Sequence, residues 1–361
     1  MSIRKLASVQ VISNLRSIEG ADRIELARIL GWNVVVKKGD FKVGDKVIYF
    51  ETDSILPENN PAFDFLKNSK GKIKPLKAKR IRGIVSQGLV TGLDVIPLGK
   101  IIPLDVGFDC TEILGVKKYD PIEVVFRNQK GNYSYIVSGF PYFIPKTEET
   151  RVQILQDKLD IAKNHKFVIT EKLDGSSITC FIKDGKFGVC SRNNMVSLTI
   201  SNPWGEAALK YDLENKFTKL REALGYDFAL QGELIGVGIQ GNKYNLSDYE
   251  IRWFNLFRID KQEDVGFYHS DQQQLNDFNG FTLGEVASML DMETVPVLDV
   301  DFDMNNNIDT LVMMAQGKSK LNPNQNREGI VFRAKYNKEF NKVGFGCRFS
   351  FKAINPDFLC P

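Results

Sequence analysis

Histidine is scarce in this 361-residue chain, and cysteine is unpatterned. Only His165 and His269 occur, neither inside a motif, so a histidine-rich metal site is excluded and a histidine-dependent triad would have to use one of these two. The five cysteines, Cys110, Cys180, Cys190, Cys347 and Cys360, are odd in number and scattered, with no C-x-x-C. That argues against both a disulfide framework and a zinc site, and leaves buried or inert thiols. No apolar run approaches the ~20 residues of a membrane span, and Met1 to Lys5 lead into patterned sequence without a signal-peptide core. These absences predict a soluble protein of the cytosol or nucleus.

What is present, 43% hydrophobic and 26% charged residues, is enough for two compact domains, each with its own core. The net charge of +3 is unevenly spread: residues 1–120 hold 20 Lys+Arg against 14 Asp+Glu, and the remainder 28 against 31. Lys67, Lys70, Lys72, Lys74, Lys77, Lys79, Arg80 and Arg82 form a run with no acidic residue between them, which suits contact with a phosphate backbone as well as a solvated loop. Around it, Ala7–Ile12, Ile24–Leu30, Trp32–Val36 and Lys46–Phe50 are β-rich runs separated by turn-forming Gly and Asp. Five or so short strands with a basic surface predict an oligonucleotide-binding (OB) barrel, with an SH3-like barrel as the alternative. Ile18–Asp22, Val34–Gly39 and Ser86–Val90 resemble the tRNA-binding type of OB module. The expected organisation is an OB-like module over 1–120, a Gly/Tyr/Pro-rich connector over 121–145 and a second domain over 146–361.

Thr147–Thr150 offers a helix cap with carboxylates in the first turn, and Val152, Leu155, Leu159 and Ala162 follow at 3-4-3 spacing. This predicts a short amphipathic helix. Next come Phe167–Thr170, then Glu171-Lys172-Leu173-Asp174-Gly175-Ser176-Ser177, then Ile178–Ile182: a strand, a tight loop and a second strand, with Lys172 at a rigid edge. Asp184-Gly185 between two further apolar runs predicts a two-residue hairpin turn. Helical or mixed segments are expected around Val286, Leu290 and Leu311–Met314. Two stretches mimic other chemistries. Gly236-Val237-Gly238-Ile239-Gln240-Gly241 has the G-x-G-x-x-G form, but the polar, turn-like Asn242–Leu246 stands where a dinucleotide fold needs a helix. Gly317-Lys318-Ser319 has the end of a P-loop but Val312 where that loop requires glycine.

The K-x-D-G at Lys172 is followed in order by Ser191-Arg192-Asn193, Gly232–Gly236, Trp253–Phe257, Arg327–Phe332 and Ser350–Asn355. This series resembles the motifs of the covalent nucleotidyltransferases, which comprise ATP-dependent DNA ligases, RNA ligases and mRNA capping enzymes. The arrangement is most similar to RNA ligases that carry an N-terminal OB module. Nine residues follow Lys352, so the C-terminal OB domain of DNA ligases and capping enzymes is expected to be missing. The resemblance implies an α+β chain, an all-β OB-like barrel followed by an ATP-grasp-like nucleotidyltransferase domain of antiparallel sheets and helices. It implies an ATP-dependent RNA ligase that seals 3′-OH/5′-phosphate ends or nicks, with ATP and Mg2+ or Mn2+ as cofactors. RNA or RNA/DNA nicked duplex ends are the implied partners, and the chain is expected to be monomeric and free of membrane association. A DNA ligase, a guanylyltransferase and a non-catalytic RNA-binding protein are the other readings.

Residue by residue, the resemblance makes Lys172 the nucleophile and Asp174 and Lys352 its catalytic companions. Lys352 would neutralise charge on the α-phosphate. Glu171, Gly175, Arg192, Glu233, Phe254, Glu328 and Lys352 join Lys172 as nucleotide-binding residues. Within that set, Arg192 and Glu233 would meet the ribose and Phe254, or else Phe257, would stack on adenine. Gly175 would let the backbone approach the nucleotide. Glu328 is the implied metal carboxylate, a surface ion pair with Arg327 being its plain alternative. Ser350 stands where the family usually has a first lysine, so the second cation of that motif is open between Lys342 and Arg348.

Overall fold

A computed structural model describes residues 4–97, 99, 102–119, 135–265, 281–335 and 349–360. His269, Lys342, Cys347 and Arg348 fall outside this set, as do residues 121–134 of the expected connector. The chain divides into two compact units: Met1–Gln129 with Val152–Lys158 and Leu359–Pro361, and Lys130–Arg151 with Leu159–Phe358. Among the described residues no helix is long and apolar enough to cross a membrane.

The first unit is a five-stranded antiparallel sheet. In spatial order its strands are Trp32–Lys37, Ile24–Ile29, Ala7–Ser17, Lys46–Phe50 and Leu89–Thr91. The long Ala7–Ser17 strand serves two partners because a bulge between Ile12 and Asn14 bends it. At the far edge Val35 N–H donates to Ser86 Oγ (2.9 Å) and Gln87 N–H to the Asn33 carbonyl (2.9 Å), so the sheet nearly closes on itself as an OB barrel does. The apolar run Val47–Phe50 does not alternate because both faces are buried. Ile48 and Phe50 pack with Val9, Phe63 and Leu114, while Val47 and Tyr49 pack with Ile12, Trp32 and Val34. The end of the basic run, Lys79, Arg80 and Arg82, lies on a small hairpin of Lys79–Ile81 against Ile84–Ser86, with Arg82 and Gly83 at its tip.

The second unit holds two sheets. A seven-stranded antiparallel sheet runs Ile136–Gly139, Asn194–Val196, Lys186–Cys190, Ser176–Lys183, Phe228–Ile235, Glu250–Arg258 and Glu263–Val265. A five-stranded sheet runs Thr150–Arg151, Ser350–Ile354, Gly329–Ala334, Lys166–Lys172 and Val297–Asp303, antiparallel except at Thr150–Arg151. The strand that ends at Lys172 therefore belongs to one sheet and the strand that starts at Ser176 to the other. The three residues between them carry the chain from sheet to sheet. The Asp184-Gly185 turn has positive φ at both residues (50° and 73°), the two-residue hairpin its sequence predicts. Helices Pro203–Lys210 and Leu213–Leu224 include Phe217, whose ring lies 5.2 Å from Phe187, 5.0 Å from Phe228 and 6.5 Å from Trp253.

The helix expected from Thr147 onward is shorter than its pattern. Thr150–Arg151 is a strand paired with Phe351–Lys352, Val152–Ile154 is a 3-10 turn, and the α-helix spans only Gln156–Ala162. Sheet pairing has overridden the local cap signal, although Val152, Leu155, Leu159 and Ala162 are all buried. The later helical segments are Leu283–Met289, opened by a Thr282–Glu285 capping box, and Ile308–Met314, capped by Asn307.

Phe217 is fully buried among three rings, so Phe217→Ala should lower the unfolding free energy by about 3–5 kcal/mol. Urea denaturation monitored by circular dichroism measures this. A loss under about 1 kcal/mol would show that the aromatic stack is not part of the core.

Candidate active site

Lys172 closes its strand opposite Gly329, the first residue of the neighbouring strand, and this register brings Glu328 to the end of the lysine side chain. Lys172 Nζ donates to Glu328 Oε2 at 2.6 Å. The buried Asn355 fixes the carboxylate's backbone from the other side. Its N–H donates to the Glu328 carbonyl (2.9 Å) and its Nδ2 to the Arg327 carbonyl (3.0 Å). Glu328 thus faces the nucleophile candidate and is not a surface ion pair.

The other sheet supplies the second carboxylate. Glu233 Oε1 accepts from the Gly175 N–H (3.0 Å), tying the crossing loop to the Phe228–Ile235 strand. A Cβ on Gly175 would stand 2.4 Å from the Leu234 carbonyl oxygen and 2.8 Å from Glu233 Cγ. The glycine is therefore required for the approach of that strand, a reason nearer at hand than the approach of a nucleotide.

Three carboxylates, on Asp174, Glu233 and Glu328, act on one amine. Burial pulls the Lys172 pKa down, but Glu328, Glu233 and Asp174 together outweigh it and hold the pKa above the usual lysine value. Burial, with Glu328 and Asp174 adding to it against the opposing pull of Lys172, pushes Glu233 up to about 8. Glu328 is raised as well, by burial first and by Asp174, against the pull of Lys172. Three carboxyl groups face the site, one of which, on Glu233, keeps its proton up to about pH 8. Its donors are oxygens, as a hard divalent cation requires, and among the described residues no three acidic, histidine or cysteine side chains converge tightly enough to ligate an ion directly. An ion at these carboxylates would keep much of its water.

The remaining residues singled out from sequence are placed unequally. Lys352 lies opposite Val331, which in turn lies opposite Thr170, so Lys352 shares the sheet face of Thr170 and Lys172 and acts electrostatically on Glu328. Phe254 is half-buried, with the Arg333 guanidinium 5.3 Å from its ring centre and Arg333 Nη1 donating to its carbonyl (2.6 Å). Phe257, the alternative stacker, is core, packed with Phe181, Ile144 and Ile259. Glu171 precedes Lys172 and so points to the other face of its sheet. There it is buried, accepts from the Lys320 N–H (2.7 Å) and has its pKa raised by that burial. Arg192 is exposed and paired with Glu148 at 3.1 Å, in no contact with the Lys172 group.

Sequence reasoning missed the companions of these residues. Asp174 N–H donates to Tyr244 Oη (2.7 Å) and Lys243 Nζ pairs with Asp174 Oδ2 (2.5 Å), both from the stretch that mimics a dinucleotide loop. Ser350 Oγ bonds Glu149, which also faces Arg333 at 3.6 Å, and Arg333 lies directly opposite Ser350 in the sheet. The only sequence signal for Arg333 was its place directly after the Arg327–Phe332 motif.

The Lys172 amine is thus held by one carboxylate, with two more acting on it, where the chain crosses from one sheet to the other. An OB-fold domain model matches residues 6–93, and an RNA ligase model matches residues 165–354. None of the curated proteins matches significantly. The solved structures that resemble the chain include Naegleria gruberi RNA ligase with PPi (37% identity, TM-score 0.78) and an arginine-to-alanine variant of it with ATP and Mn (36%, 0.78). A lysine-to-methionine variant with AMP and Mn is equally similar (36%, 0.78), and each match covers 99% of this chain and 98% of that one. The chain belongs to the RNA ligase family.

Because Glu233 titrates near 8 in the folded chain and near 4.5 when unfolded, the native state retains a proton that the unfolded state has lost between those values. Its contribution to stability is full below about pH 4.5 and declines as pH rises toward 8. Glu233→Gln removes the ionisation, so its melting temperature relative to the parent should climb between pH 5 and about pH 9. A pH-independent difference in calorimetry would contradict the burial of this carboxyl group.

Proposed function

We propose that the chain seals RNA ends through a lysyl-AMP intermediate on Lys172, the reading carried by the 2.6 Å contact between Lys172 and Glu328 within a three-carboxylate site. Lys172 Nζ attacks the α-phosphorus of ATP, a P–N bond forms, the bond to the bridging oxygen breaks and pyrophosphate leaves. The AMP then passes to an RNA 5′-phosphate, and a 3′-OH displaces it to form the phosphodiester. ATP and AMP are present in the related Naegleria structures, as is Mn. A divalent cation, Mg2+ or Mn2+, bound near Glu328 would offset the carboxylates that hold the amine protonated and would screen the phosphates.

The chain's own residues take the following parts. Glu328 orients the amine and gives it up on deprotonation, while Glu233 holds the crossing loop at Gly175. Lys352 meets the α-phosphate from the adjacent strand, and Phe254, backed by Arg333, offers a face to adenine. Arg192 and Glu171 would reach a nucleotide only through rearrangement of their present contacts, and Arg333, directly opposite Ser350, is assigned as the second cation of that motif. The finer assignments are ours: residues 1–120 as the nucleic-acid module, 121–145 as connector, 146–361 as the adenylylating domain, nicked RNA or RNA/DNA duplex ends as substrate, a monomer, and a place in the cytosol or nucleus.

Incubation with α-labelled ATP and Mn2+ should label the chain, α-labelled GTP should not, and Lys172→Ala should abolish the label. Transfer of GMP would indicate a capping-type enzyme instead. Lys172→Ala should still join RNA whose 5′ end is already adenylylated, because that substrate bypasses the first step.

The basic hairpin is assigned to phosphate contact, since Lys79, Arg80 and Arg82 are exposed on it and Lys77 is exposed just before it. Replacing these four by alanine should reduce the slope of log affinity against log salt for nicked duplex by about 3 to 4. Equal slopes would make the hairpin a solvated loop.

A further inference from the structure

The G-x-G-x-x-G stretch has no dinucleotide to bind, yet it is far from an ordinary loop. Between Gly236 and Asn245, Gln240, Asn242 and Asn245 adopt φ of 44°, 49° and 54°, alongside Gly236, Gly238 and Gly241 at positive φ. Side chains rarely adopt this conformation without being held in it. Here Asn242 is bound twice to Leu246, its Nδ2 donating to the carbonyl (2.8 Å) and its Oδ1 accepting the N–H (3.0 Å). The result is a loop folded over the K-x-D-G crossing. Tyr244 Oη accepts the Asp174 N–H at 2.7 Å, and Lys243 Nζ sits 2.5 Å from Asp174 Oδ2.

Lys243 is itself fixed from three directions. Its ammonium lies over the Phe358 ring, 4.0 Å from the centroid, its carbonyl accepts from Asn322 Nδ2 at 2.8 Å, and its charge meets Asp174. Without that cation, the Asp174 carboxylate would be left to act on Lys172, whose charged form it already favours. It would then compete with the phosphate for the amine that must attack.

We propose that Lys243 is a positioning residue for ligation, holding the Asp174 carboxylate away from Lys172 so that the amine is free to be adenylylated. The proposal rests on Lys172 being the residue that takes the AMP. Lys243 touches neither nucleotide nor RNA in this role and acts through Asp174 alone.

The test is single-turnover adenylylation of the full chain with α-labelled ATP and Mn2+ across an ATP titration. Lys243→Met should lower the maximal rate on the order of 10- to 100-fold with little change in the ATP concentration for half-maximal rate. Lys243→Arg, which keeps the charge over Phe358, should restore most of the rate, and both variants should show parental circular dichroism and melting behaviour. In an Asp174→Asn background, Lys243→Met should have no further effect. A parental rate in Lys243→Met, an equal rate loss for the Met and Arg variants, or the same fold-loss with Asn at 174 would each overturn the proposal while leaving lysyl-AMP formation intact. Absence of label on the parental chain would instead overturn the functional reading, and the proposal with it.

Discussion

The site depends on charge imbalance in a confined space: one amine, Lys172, set among Glu328, Glu233 and Asp174. Burial favours the neutral amine that the chemistry needs, while the carboxylates favour the ammonium, and in the resting chain the carboxylates win. Glu233 responds by holding its proton to about pH 8. Positive charge brought to those carboxylates would weaken their hold on the ammonium.

Backbone geometry maintains that confinement. Lys172 and Ser176 belong to different sheets, so Leu173, Asp174 and Gly175 must cross the gap between them. Gly175 admits the Leu234 carbonyl where any Cβ would collide, Glu233 takes the glycine N–H, and Tyr244 takes the next N–H back. Asn355 holds the strand that carries Glu328. The reacting groups thus arise on rigid strand ends, with the adjustable contacts, Lys243 among them, placed one residue further out.

Much of this was legible in the residues. The strand, loop and strand around Lys172, the Asp184-Gly185 turn and the barrel strands of the first unit have local patterns that the fold obeys. The order of the motifs pointed to Glu233 and Glu328, which the structure brings to the same lysine. What could not be read was long-range. Thr147–Thr150 carries a helix cap in its composition, but pairing of Thr150–Arg151 with Phe351–Lys352 turned it into sheet and left Glu149 to face Arg333 and Ser350. Phe254 and Phe257 are indistinguishable in sequence, and only the packing against Phe181 shows that Phe257 belongs to the core. Lys243 and Tyr244 were hidden because their role depends on a loop conformation set by positive-φ residues, which no periodicity announces.

The proposed chemistry puts the nucleotide on the Lys172 amine. Peptide mapping by mass spectrometry after incubation with ATP and Mn2+, kept at neutral or alkaline pH to preserve a P–N bond, tests it most directly. The account predicts one AMP on the peptide spanning residues 166–183, localised to Lys172, and none on that peptide when Lys172 is replaced by alanine. AMP on another side chain, Lys243 or Lys352 included, would contradict it.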